Sequence, residues 1–142
     1  MDRRSDILAR VRSSAARANR YADAFLALEH KDQGTVYPIL MGYIQDRFLL
    51  PPELCTSDNI LDLADISLRH ILELKKRGLY QGDTSRACSG VSSVFAKKVL
   101  LMKAVQQDFG VTMTPEQSAQ LSTVTELVNY ICATCPSPPS PC

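Results

Sequence analysis

Apolar positions recur along nearly the whole chain at three- and four-residue spacing, the period of a helix packed on one face. A first helix is expected from Ser5 to about Glu29, with Ile7, Val11, Ala15, Ala18, Ala22 and Phe25 on its apolar stripe. That stripe is narrow and rich in alanine, so it should bury little area. Asp32-Gln33-Gly34 reads as a linker. A second helix follows over about Tyr37 to Leu50, its apolar positions Ile39, Leu40, Tyr43, Ile44, Phe48 and Leu49. Pro51-Pro52 ends it, because proline has no backbone donor and forces the preceding residue out of the helical region.

A third helix lies between Ser57 and Arg77. Lys75, Lys76 and Arg77 fill its last turn, where cations suit the helix dipole, and Gly78 follows as the residue that leaves the helix left-handed. Gln81 to Gly90, with Cys88, reads as a polar loop. A fourth helix is expected from about Ser92 to Phe109, with Phe95, Val99, Met102, Val105 and Phe109 as its core stripe and Gly110 as its stop. Two capping boxes close the pattern: Thr114-Pro115-Glu116-Gln117 opens a short helix, and Thr123-Val124-Thr125-Glu126 opens the last one. Val124, Leu127, Val128 and Ile131 give that last helix one continuous apolar face. Strand signals are weak throughout, so the fold class is all-α.

Composition narrows the function classes. The chain has 142 residues and 45% hydrophobic residues, enough for one packed domain plus an arm. Lys and Arg number 16 against 15 Asp and Glu, a net charge of +1, which excludes the whole-protein basic field of a non-specific nucleic-acid binder. The first twenty residues are nevertheless Arg-rich. That helix suits either packing on the bundle or docking on an acidic partner better than membrane insertion, because it has few bulky anchors. No apolar run is long enough for a membrane span. The charged start, without an apolar core, leads us to expect no secretory signal and a cytoplasmic location.

In that compartment the cysteines read as thiols rather than a disulfide framework. Cys132 and Cys135 form a C-x-x-C pair, with Cys142 nearby in the proline-rich tail CPSPPSPC. A structural zinc takes four ligands, and Cys55, Cys88, His30 and His70 supply no second close pair, so no metal site is expected. A redox C-x-x-C opens a helix, whereas this one follows a helix. His30 and His70 lack partners at ligand or catalytic spacing. No phosphate loop or nucleophile elbow is present, and no enzyme is expected.

One segment carries a more specific signal. In FAKKVLLMKAVQQDFGVTMTPEQSAQLSTVTELVNYI, Phe95 to Ile131, a helix ends in Phe109-Gly110. The link Val111-Thr112-Met113, the proline-led short helix at Thr114-Pro115-Glu116, and Thr123-Val124 leading to Tyr130-Ile131 follow. This order resembles the second half of an acyl carrier protein, matched without gaps over 37 residues. The resemblance implies a four-helix carrier-like bundle. It also implies a serine at the start of the second carrier helix that takes 4′-phosphopantetheine, exposed where free amide groups and the helix dipole favour phosphate.

The gap-free match puts Phe95 at that serine's position. Ser92 and Ser93 lie just before it and need a small insertion. Upstream, Asp62-Leu63-Ala64-Asp65-Ile66-Ser67-Leu68 has the length of the carrier's modification motif, with Ser67 at the serine position and Asp62 and Asp65 as its acids. It lacks the motif's glycine, has Ile66 where an Asp is expected, and requires an insertion before Phe109. Ser67 equally suits a small residue on the packed face of a helix. Carriers are acidic after the serine, to match basic enzyme surfaces. Here the corresponding helix carries Arg69, His70, Lys75, Lys76 and Arg77, or else Lys97, Lys98 and Lys103.

The chain is thus similar to the diverged acyl-carrier-related proteins of bacterial peptide maturation systems. The division expected is a basic helix and linker at 1–33, a carrier-like bundle with an insertion at 34–131, and a disordered Cys/Pro-rich tail at 132–142. The function expected is a non-catalytic adaptor for maturation or tailoring enzymes, without the prosthetic arm. The alternatives are a working carrier with 4′-phosphopantetheine on Ser67, or a helical interaction module unrelated to carriers. Nucleic acid is not expected as a partner.

Overall fold

The computed structural model describes residues 16–78 and 94–134. These residues form an all-α structure. Helix α1 is described over 16–26. It is followed by α2 (Gln33–Arg47), a 3-10 turn (Pro52–Leu54), α3 (Ile60–Lys76), α4 (Val94–Phe109), α5 (Pro115–Gln120) and α6 (Val124–Thr134). Among the described residues the extended pairing is a single bridge between Asn59 and Thr123. Helix α2 packs along α6, and α3 along α4. The expected start at Ser5, the outer half of the first stripe, the loop with Cys88, Ser92, Ser93 and the tail from Cys135 lie outside the described residues.

Helix α1 buries more than its alanines suggest. Ala18, Ala22 and Phe25 are buried in one core with residues of α2, α3, α4 and α6. Small side chains let α1 approach α2 closely: Tyr21 lies over Gly42, where an added Cβ would collide with the ring. Phe25 then reaches the centre of the bundle. Its ring centroid is 4.7 Å from that of Phe109, and Tyr43 meets Phe109 edge-on at 4.9 Å. Such pairs add about 0.5–1.5 kcal/mol each beyond burial. The Arg17–Asp46 ion pair, 3.2 Å, lies at the rim of the same contact, where exposure leaves it at most about 1 kcal/mol.

Helix α2 begins earlier than the linker reading allows. Asp32 is its N-cap, accepting from Thr35 N–H, while the Thr35 hydroxyl caps Asp32 in return. Pro38 is tolerated inside α2 because the carbonyl it leaves without a helical donor, that of Gly34, is on the exposed first turn. Its C-terminus closes on Phe48, with Leu50 N–H returning to the Gln45 carbonyl and Leu49 N–H to that of Asp46. That wrap requires Leu49 at φ 53, a left-handed conformation usually taken by glycine. Burial of Leu50 at the end of the wrap offsets the strain. Gly78 and Gly110, at φ 70 and 69, end α3 and α4 as the sequence suggests.

The buried face of α4 differs from the expected one. Met102, Val105 and Phe109 are buried, but Phe95 and Val99 are 66% and 51% exposed. Lys97, Lys98, Leu101 and Ala104 point inward instead. Helix α6 buries the expected Val124, Leu127, Val128 and Ile131 and runs on to Thr134, so residues 132–134 are its last turn rather than tail.

Phe109→Ala should remove the ring that Phe25 and Tyr43 share. A loss of about 3–5 kcal/mol in urea unfolding is expected, and a loss below ~1 kcal/mol would mean that the cluster does not organise the core.

Candidate functional site

The residues with candidate chemistry gather on α3 and on what packs against it. Asn59 caps the helix, accepting from Asp62 N–H at 3.1 Å. Asp62 in turn accepts from the Ser57 hydroxyl, 3.2 Å, and Asp65 pairs with Arg69 one turn on, 2.9 Å. Both acids of the carrier-like heptapeptide therefore serve the local structure of α3.

Ser67 lies in the middle of α3 and is fully buried. Its hydroxyl donates to the carbonyl of Phe48, the C-cap of α2. The carrier chemistry needs the opposite arrangement, a hydroxyl exposed at a helix N-terminus. In the folded chain Ser67 presents no nucleophilic oxygen to solvent. The bond satisfies a carbonyl at the end of α2.

Phe48 is also where α4 arrives. Lys97 is 1% exposed and its ammonium lies 5.0 Å from the Phe48 ring centroid, a cation over an aromatic face. Lys98 beside it is 7% exposed and donates to the carbonyl of Ala119 in α5 at 3.3 Å. Burial holds the Lys98 amine below the usual lysine range, and Glu126 opposes that shift. The basic surface expected of α4 is thus reduced to Lys103, because Lys97 and Lys98 face inward. Their aliphatic stems pack like apolar side chains while their heads reach a ring and a carbonyl.

A second set of polar contacts ties α6 to the loop before α3. Tyr37 donates to Asp58 Oδ1 at 2.8 Å, and Asp58 Oδ2 accepts from Thr125 N–H at 3.4 Å. The backbone completes the staple: Val124 N–H donates to the Asp58 carbonyl at 2.7 Å and Ile60 N–H to that of Ser122 at 2.9 Å. Thr114 and Gln117 form the expected capping box at α5, whereas at α6 Thr123 accepts from Glu126 N–H and the Glu126 carboxylate accepts from the Thr123 hydroxyl rather than from its N–H. Desolvation, then the bond to Asp58 and its charge, pushes the Tyr37 phenol up to about 12. Tyr43 is raised too, first by burial and then by its bond to Asp108. Sequence reading missed Asp58 and Asp108, since a lone Asp in a loop or near a helix end carries no signal of its distant tyrosine.

The remaining candidates lie on different elements. Cys55 is half-buried against the sulfur of Met41, 3.4 Å away, and Cys132 sits on α6. His30 lies between α1 and α2, and His70 is on α3. Among the described residues no three His, Cys, Asp or Glu side chains group as metal ligands, and no helix is long and apolar enough to cross a membrane. No protein-family model, curated protein or solved structure matches the chain.

The Tyr37 phenol holds its proton more tightly in the folded chain than at the ordinary value of 10.0. Its stabilising contribution is complete below pH 10 and declines as the pH rises through about 12. Melting temperatures from pH 9 to 12 should fall less steeply in Tyr37→Phe than in the native chain. Equal slopes would show that the Tyr37–Asp58 bond does not couple folding to pH.

Proposed function

We propose that this chain is a carrier-like adaptor: a non-catalytic helical protein that docks on maturation or tailoring enzymes without a prosthetic arm. The observation that carries the reading is the state of Ser67, buried at mid-helix with its hydroxyl donated to Phe48. It is the best-placed serine by sequence, and its chemistry is spent on holding α3 against the end of α2.

The carrier part of the reading is supported by the order of α4, α5 and α6. Helix α4 stops at Phe109-Gly110, and Val111 and Met113 of the link are buried. The short α5 starts at Pro115 under a capping box, and α6 starts at Val124. In that register Phe95, in the first turn of α4, stands where a carrier has its modified serine. Phenylalanine has no hydroxyl to form the phosphodiester. On this reading α2, α4, α5 and α6 are the four carrier helices, α1 is the added N-terminal helix, and α3 belongs to the insertion. The proposed setting is the cytoplasm.

Co-expression with a broad-specificity phosphopantetheinyl transferase, followed by intact mass measurement, tests this directly. The expected mass is that of the unmodified chain. A complete phosphopantetheine shift that disappears in Ser67→Ala would overturn the bare adaptor and establish a working carrier. A shift that survives Ser67→Ala but disappears when Ser92 or Ser93 is changed would also overturn it, and would place the arm before α4.

A further inference from the structure

We draw no further inference here: the strongest candidate, the pair of sulfurs where Cys55 at the end of the 3-10 turn meets Met41 of α2 at 3.4 Å, is a single thiol beside a thioether, and nothing in the structure shows what it would bind.

Discussion

The structure depends on Phe109 being enclosed by rings from two other helices. Phe25 of α1 and Tyr43 of α2 meet it at under 5 Å, and the neighbouring Asp108 accepts the Tyr43 hydroxyl. One short stretch at the end of α4 thus fixes both the depth and the rotation of α2, and gives α1 its seat. Burial alone would allow these helices to slide along each other. The hydrogen bond between a buried phenol and a carboxylate is directional, and leaving either group unpaired would cost about 1–3 kcal/mol. The staple at Asp58 acts similarly at α6, holding its first turn through one side chain and one carbonyl.

This arrangement bears on chemistry by what it occupies. Ser67, Lys97 and Lys98 are three of the residues on α3 and α4 that the sequence marks for reaction or for facing a partner. Each is spent inside the fold, on the Phe48 carbonyl, the Phe48 ring and the Ala119 carbonyl.

The parts of the fold that were legible in the sequence are those governed by local rules. Helix α6 shows its face because its apolar residues fall at unbroken three- and four-residue spacing, and α5 and α6 show their starts because a threonine and a Glu or Gln three residues later satisfy each other. Helix α4 was harder, since apolar residues occur around much of its circumference and two rows compete. Met102, Val105 and Phe109 of the row from Phe95 are buried, but Phe95 and Val99 are not, because Lys97 and Lys98 found a ring and a carbonyl for their heads, which no spacing rule encodes. Helix α1 was undervalued for a related reason. Alanine contributes little area itself, but it permits the approach that buries Phe25. The serine motif was legible as a string of letters, yet whether Ser67 faces solvent depends on Phe48, nineteen residues away.

Helices α1, α2 and α4 are expected to unfold as one cooperative core built on Phe109. Native-state hydrogen exchange followed by NMR addresses it residue by residue. Amides of 22–26 in α1 should exchange with the same free energy as those of Leu101 to Val105 in α4, that of global unfolding. Exchange of the α1 amides through a separate opening of much lower free energy, with α4 still protected, would contradict it and make α1 an appendage rather than part of the core.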